Sequence, residues 1–257
     1  KVVLVTGAAG SIGSELVRQL ATFGVKKLIL FDNAETPMHN LRLELENRFP
    51  DLDFVPVIGD VRQAPRLDFA FRTFHPNVVF HAAAYKHVPL MEENPCEAVL
   101  VNVIGSRNVA DYCLKYDVEQ MVMVSTDKAV NPTNIMGCTK RLAETYVQSL
   151  GQALENGTVA GKTKFVTTRF GNVLGSNGSV IPRFREQIEK GGPITVTHPD
   201  ITRFFMTIPE ACRLVMEAAT MTKGNQIFVF DMGESVKIAD LAKRMIELAG
   251  LKEGEDI

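Results

Sequence analysis

The segment Thr6-Gly7-Ala8-Ala9-Gly10-Ser11-Ile12-Gly13 joins a β-branched run, Val2–Thr6, to a stretch of helical periodicity over Ser11–Thr22. Ile12, Leu16, Val17 and Leu20 recur on one face of that stretch. A strand, a glycine-rich turn and a helix in this order leave the chain few alternatives. Glycines permit a tight turn and let backbone approach a pyrophosphate, while the helix start offers unpaired N–H groups and a positive dipole end. Gly7, Gly10 and Gly13, with Ser11 and Ile12 at the helix start, are therefore candidate cofactor contacts. A second strand pattern, Lys27–Phe31, runs into Asp32, about 20 residues on. An acid there accepts hydrogen bonds from both adenosine ribose hydroxyls and repels a 2′-phosphate. Asn33 and Ala34 follow, with no adjacent arginine to hold a phosphate. The reading is a dinucleotide site that prefers NAD to NADP.

The same alternation continues. Helical patterns at Met38–Phe49, Gln63–Phe74, Cys96–Tyr116 and Met136–Leu154 separate strand patterns at Phe54–Ile58, Val78–His81, Gln120–Ser125 and Phe165–Arg169. Apolar strand runs separated by helices predict an α/β fold, a Rossmann-type doubly wound parallel sheet covered on both faces. After Arg169 the texture changes: Gly171, Gly175, Gly178, Gly191 and Gly192 mix with Pro182, Pro193 and Pro199 around a helix near Val180–Lys190. Helices at Pro209–Met221 and Ile238–Ala249 follow. Residues 1–170 read as an NAD-binding domain, and 171–257 mainly as a small C-terminal substrate-binding lobe, interleaved with the sheet and truncated at its end.

Charge and cysteine usage narrow the function classes. Lys+Arg number 28 against 30 Asp+Glu, a net charge of −2, which gives no footprint for nucleic acid or an acidic membrane surface. Cys96, Cys113, Cys138 and Cys212 lack metal-ligand spacing, so no metal is expected, and their spread suits reduced thiols in the cytoplasm. No apolar run reaches the length of a membrane span, so no membrane contact by this segment is expected. The chain opens at Lys1 on a strand, without Met, and reads as a piece of a longer protein.

Other strand ends supply further candidates. In Gly59-Asp60-Val61, after the third strand, the Asp side chain can reach the adenine amino group. Ala82, Ala83 and Ala84 follow His81 and let the chain lie against the cofactor; Asn102 is placed with the cofactor contacts. Ser125-Thr126-Asp127-Lys128 ends the fifth strand, and Lys140 lies in the next helix. Ligands of open parallel sheets bind at such strand ends.

With these residues the chain resembles the extended short-chain dehydrogenase/reductase superfamily. Its relatives carry a Tyr four residues before the helical Lys; here Met136 holds that position in Met136-Gly137-Cys138-Thr139-Lys140, and none of Tyr85, Tyr112, Tyr116 or Tyr146 has a Lys four residues on. Longer strings narrow the resemblance. They are Ser125-Thr126-Asp127-Lys128-Ala129-Val130-Asn131-Pro132, His81-Ala82-Ala83-Ala84-Tyr85-Lys86-His87-Val88-Pro89, Arg169-Phe170-Gly171-Asn172-Val173-Leu174-Gly175 and Thr202-Arg203-Phe204-Phe205. All resemble nucleotide-sugar 4,6-dehydratases of bacterial polysaccharide and glycan biosynthesis. One branch, the membrane-anchored UDP-N-acetylglucosamine 4,6-dehydratases, is similar even in having Met for Tyr.

That resemblance implies a reaction and roles. Hydride leaves sugar C4 for NAD, a base takes the C5 proton, an acid protonates the departing C6 hydroxyl, and hydride returns to C6. Asp127 is the expected acid and Lys128 the expected base; Lys140 holds the nicotinamide ribose, Thr126 bonds the C4 oxygen, and Met136 occupies the vacated tyrosine position. A thioether carries no proton, so the acceptor of the C4 hydroxyl proton is left to Asp127 or to water linked to Lys140. Lys86 and His87 are expected to face the substrate. Asn172, Ser179, Val180, Pro182 and Arg183 form the expected nucleotide-binding segment, with Arg203 on the diphosphate and Ile194 and Thr195 flanking uracil. The expected partner is a UDP-sugar, with a homo-oligomer possible, and the parent protein is expected to be anchored to the inner membrane by a segment outside this chain. A nucleotide-sugar epimerase or reductase, and a catalytically inactive NAD-binding regulator, remain as alternatives.

Overall fold

Val2–Thr6 (β1) and Lys27–Asp32 (β2) are buried almost throughout, as strands covered on both faces must be. The computed structural model describes residues 1–176 and 178–257. The chain divides into two compact units, Lys1–Arg169 with Cys212–Phe230, and Phe170–Ala211 with Asp231–Ile257.

In the first unit, β1 leads into α1 (Ser11–Ala21), β2 into α2 (Glu35–Arg48), and β3 (Phe54–Ile58) into α3 (Ala64–Phe74). β4 (Val78–His81) is followed by α4 (Val88–Glu93) and α5 (Pro95–Ala98). A π-helical segment, Val99–Gly105, then runs into α6 (Ser106–Lys115). β5 (Gln120–Thr126) ends in a 3₁₀ turn, Asp127–Ala129, before α7 (Ile135–Glu155) and β6 (Lys164–Phe170). α1 shows why the helices form where they do: Gly13, Leu16, Val17 and Leu20 face inward and Arg18 sits in the last turn. α7 starts at Ile135 because the Asn134 side chain accepts the Gly137 N–H at 2.8 Å.

Beyond β6, the second unit holds β7 (Asn172–Leu174), α8 (Val180–Glu189), β8 (Thr202–Arg203) and β9 (Phe205–Thr207). α9 (Ile208–Met221) begins there, but from Cys212 onward it belongs to the first unit, as does β10 (Gln226–Val229). β11 (Val236–Lys237) and α10 (Ile238–Leu248) close the second unit. Its core gathers Phe184, Ile238 and Ala242, with β8 against β11 and β7 beside β9.

The main sheet has seven strands in the order β10-β6-β5-β4-β1-β2-β3. β1 pairs in parallel with both β2 and β4, so the winding direction reverses between β1 and β4. Ligand clefts of this Rossmann-type architecture open at that reversal. The core beneath packs Leu4, Ile29, Phe31, Val79 and Met123 against Leu67, Phe71, Val109 and Val147 of the helices.

Three elements differ from the sequence reading. The long helix expected over Cys96–Tyr116 contains the π segment, a one-residue change of hydrogen-bond step that apolar periodicity does not reveal. α4 was not foreseen, being six residues long with a proline in its first turn. β10 adds a seventh strand; it is four edge residues, two exposed and two half-buried, too short for a two-residue alternation to stand out.

Candidate active site

The cleft at the β1–β4 reversal is made by backbone contact. Gly7 has φ of +67°, and a Cβ there would lie 2.5 Å from the Ala83 nitrogen. A Cβ on Gly13 would meet the Gly7 carbonyl oxygen at 1.9 Å, so α1 starts directly against the turn. At Gly10, by contrast, only the Gly7 oxygen lies near, at 3.3 Å. The glycine turn, Asp32, Asp60, Val61, Ala82, Ala83, Ala84 and Tyr85 line the cleft. No side chain caps α1 and its first turn holds no acid. Ser11 is half-buried in this first turn; Ile12 is half-buried too, and its carbonyl accepts from Cys212 Sγ at 3.5 Å. The Asp32 carboxylate accepts from the Ala9 N–H and the Ala34 N–H, both at 2.9 Å, and each oxygen keeps a lone pair for a further donor.

Asp60, expected to reach adenine, is engaged by Arg62. The guanidinium donates to both carboxylate oxygens at 2.7 to 3.0 Å, the Arg62 N–H adds 2.9 Å, and Asn33 Nδ2 adds 3.2 Å. Burial alone would raise this carboxyl; the bonds and charge of Arg62 outweigh it and hold the acid below its usual range. Arg62 also reaches Glu97 at 2.6 Å. The Val61 side chain turns inward against Gly105, leaving its neighbourhood in the cleft to backbone.

Asn102 is fully buried, and its role differs from a direct cofactor contact. Its carbonyl accepts the Tyr85 N–H at 2.8 Å, and its amide donates to Tyr85 O at 3.0 Å and Thr139 Oγ1 at 3.1 Å. It thereby fixes the loop after β4 to α7. Next to it, Ser106 Oγ donates to Asn102 O at 2.6 Å, so the 2.9 Å bond to His81 Nε2 is donated by the imidazole, and Nδ1 accepts from Thr6 Oγ1 at 2.7 Å. Burial, helped by the charge of Lys140, pushes the His81 pKa down to about 3.

At the end of β5, Thr126 Oγ1 donates to Asp127 Oδ1 at 2.9 Å and accepts the Lys128 N–H at 3.3 Å. Lys128 Nζ donates to the same Asp127 oxygen at 3.1 Å, with 28% and 40% of the two side chains exposed. The turn packs tightly on α7: a Cβ on Gly137 would lie 2.3 Å from the Lys128 carbonyl oxygen. Met136 points the other way, buried with Met91 and Ala98, so its thioether serves packing. Lys140 is also buried, and Nζ donates to Val124 O at 2.8 Å. Burial pushes its pKa down to about 8, against the opposing charge of Glu144.

Lys86 and His87 lie on the loop leading into α4. Lys86 is exposed in area, yet partial burial of its ammonium lowers its pKa; burial and the Lys86 charge lower that of His87.

In the second unit, β7 places Asn172 opposite Phe205, with the Asn172 N–H on Phe204 O at 3.1 Å. Ser179 precedes α8, its hydroxyl buried with no hydrogen-bond partner among the described residues. Val180 and Ile194 pack on the Phe184 cluster, which assigns their side chains to the core of the unit. Pro182, Arg183 and Thr195 are exposed; Arg183 reaches Thr195 Oγ1 at 3.4 Å, and Gln187 bonds the same oxygen at 2.8 Å. Arg203 is exposed on β8, its guanidinium on the Thr202 carbonyl.

Sequence reasoning passed over Arg62, Glu144 and Arg169. Glu144 is fully buried, receives the Arg169 fork at 2.9 and 2.5 Å, and sits four residues after Lys140. That spacing, which puts two residues on one helix face, was the available signal. Among the described residues no His/Cys/Asp/Glu group is arranged to hold a metal ion, and no helix is long and apolar enough to cross a membrane.

Residues 3–257 match the model of a family described as polysaccharide biosynthesis protein, and the chain belongs to that family. The capsular polysaccharide biosynthesis protein CapD of Staphylococcus aureus is 54% identical over 258 residues, covering 100% of this chain and 42% of that protein. The chain thus spans about two fifths of the length of this relative. A UDP-glucose 4-epimerase of Rickettsia canadensis is 37% identical over 256 residues, 98% of this chain and 72% of that enzyme. Among solved structures, Pen from Bacillus thuringiensis superposes with a TM-score of 0.91 at 34% identity, covering 100% of this chain and 80% of that one.

Proposed function

We propose that this chain binds NAD and acts as a nucleotide-sugar 4,6-dehydratase in polysaccharide or glycan biosynthesis, turning UDP-N-acetylglucosamine or a related UDP-sugar into a 4-keto-6-deoxy product. The observation that carries the reading is the Asp127–Lys128 pair. An acid and a base share one turn at a strand end, next to the helix that bears a buried lysine. Elimination of water needs an acid at C6 and a base at C5; exchange of hydride at one carbon needs only a group that takes and returns the hydroxyl proton there.

NAD fits the residues present. Gly7 and Gly13 let the turn close where a Cβ would collide with backbone, no side chain caps the α1 start, and Asp32 has acceptor capacity for ribose hydroxyls. NAD held there would supply the hydride acceptor and donor that the reaction needs. The protein moves the protons. Within the ion pair the Lys128 proton passes to Asp127. Asp127 gives it to the C6 hydroxyl, which departs as water, while neutral Lys128 takes the C5 proton and returns one to C5 as hydride reaches C6. Thr126, whose hydroxyl now serves Asp127, turns to the C4 oxygen, and Lys140 holds the nicotinamide ribose. Met136 takes no proton, so Asp127 or a Lys140-linked water accepts the one from the C4 hydroxyl. Arg203 contributes a guanidinium group for the diphosphate, with Asn172, Ser179, Pro182, Arg183 and Thr195 beside the nucleotide.

An epimerase is the second reading, favoured by the 37% identity to the Rickettsia enzyme. A mass spectrum separates the two. Incubated with catalytic NAD and UDP-N-acetylglucosamine, a dehydratase yields a product lighter by one water, carrying deuterium at C5 when the solvent is heavy water. A product of unchanged mass would make the protein an epimerase, and bound NAD with no product would favour a regulator.

A further inference from the structure

The mechanism leaves unused the buried ion pair that lies behind Lys140. Glu144 and Lys140 lie one turn apart on the inner face of α7, the carboxylate fully buried and the lysine nearly so. No ion pair joins them. Arg169, at the end of β6, instead grips both Glu144 oxygens, and Arg141 approaches one at 3.4 Å. The only hydrogen-bond partner of Lys140 among the described residues is Val124 O, so its remaining donors are uncommitted within the protein. A lysine bound directly to Glu144 would be drawn along the helix, away from a ligand.

Resting on the NAD reading of this cleft, we infer that Glu144 is a positioning residue whose charge, anchored by Arg169, keeps Lys140 protonated without binding it. The anchoring explains both halves of the arrangement. A buried ammonium with no countercharge loses its proton. A countercharge free to move would pair with it and occupy the donors. The Arg169 fork resolves this by holding the carboxylate at a fixed distance. The opposing effects of burial and Glu144 on Lys140 agree with that geometry, and Arg169 outweighs burial to keep Glu144 ionised. Other charged groups against α7 are His81 of β4, which stays neutral, the Asp127–Lys128 pair, Glu92 on the Ile135 N–H, and Asp111 on the Tyr146 hydroxyl.

The test reads Lys140 directly in the protein without cofactor or sugar. With lysine carrying ¹³C at Cε, the Lys140 resonance is assigned by its loss in Lys140→Arg and followed through a pH titration. Glu144→Gln should lower the midpoint by about one unit or more, because a cation then stands unopposed nearby. Arg169→Gln should raise it, because Glu144 is left to Lys140 alone. Opposite shifts support the inference. Midpoints that stay put, or move in the same direction, overturn it, since a purely structural pair has no reason to give opposite signs. Should Glu144→Gln fail to fold, the sign of the Arg169→Gln shift decides. Because no turnover is measured, a failed dehydratase assay and a failed positioning role remain separate results.

Discussion

Between Gly7 and Ala83 the backbone closes so tightly that a Cβ would lie 2.5 Å from nitrogen, whereas Asp127 and Lys128 at the end of β5 are joined by a 3.1 Å ion pair between partly exposed side chains. One strand end is held by the absence of atoms, the other by charge. Steric exclusion acts over tenths of an ångström and does not respond to pH. Charge acts over several ångströms and changes with protonation and with whatever binds. A dinucleotide needs an unchanging cradle. Proton transfer needs groups that let go of their partners.

The largest effect is expected from Gly13→Ala, which forces a Cβ to within 1.9 Å of the Gly7 carbonyl with backbone on both sides. Urea unfolding should show a loss of about 3 kcal/mol, and NAD binding should disappear with it. Unchanged stability would mean that the turn yields, and the contrast between the two ends would dissolve. Asp127→Asn attacks the other end. Turnover should fall about a hundredfold, typical of a lost general acid, while stability shifts by no more than about 0.5 kcal/mol. A large stability loss would make Asp127 part of the scaffold.

Acid sharpens the comparison further. An unfolded histidine takes its proton near pH 6.5, but His81 resists to about 3. Between those values the unfolded chain binds the extra proton, so stability falls as pH drops below 6.5, by up to about 1.4 kcal/mol per unit from this residue. His81→Gln keeps a donor and an acceptor, and its urea midpoint should depend less steeply on pH in that window. Equal slopes would remove His81 as the source. Asp32→Asn is the mildest change. Calorimetry should find NAD bound about tenfold more weakly, about 1.4 kcal/mol, with discrimination against NADP reduced. Unaltered selectivity would show that the carboxylate does not face the ribose.

The same contrast governs what could be read from the sequence. Gly7 and Gly13 were legible because a steric requirement excludes nearly every other residue there, and the order of strand, turn and helix repeats it. The alternation that gives the sheet was legible for the same reason, down to strand ends such as Val2–Thr6 and Val78–His81. Asp127 and Lys128 stood out through a longer string, and Lys140 through its place in the helix after β5, four residues beyond Met136. The Arg62 and Arg169 contacts did not, because a long side chain chooses partners by proximity in space. Arg62 meets Glu97 across 35 positions of chain and Arg169 meets Glu144 across 25. Asn102 was visible as a cofactor-side residue, but its grip on the Tyr85 backbone depends on the π segment, which leaves no periodic trace.

That segment also dictates how this chain tolerates changes of length. From Val99 to Gly105 the helix closes its hydrogen bonds one residue later than an α-helix does, so a surplus residue is stored there. Deleting one residue from this stretch would restore regular winding and turn everything on one side by about 100°. Asn102 would swing off the Tyr85 peptide, and the loop after β4 would lose its tether to α7. A deletion here is therefore costly. The spare residue, invisible to composition and pattern alike, is an inherited length that the cleft depends on.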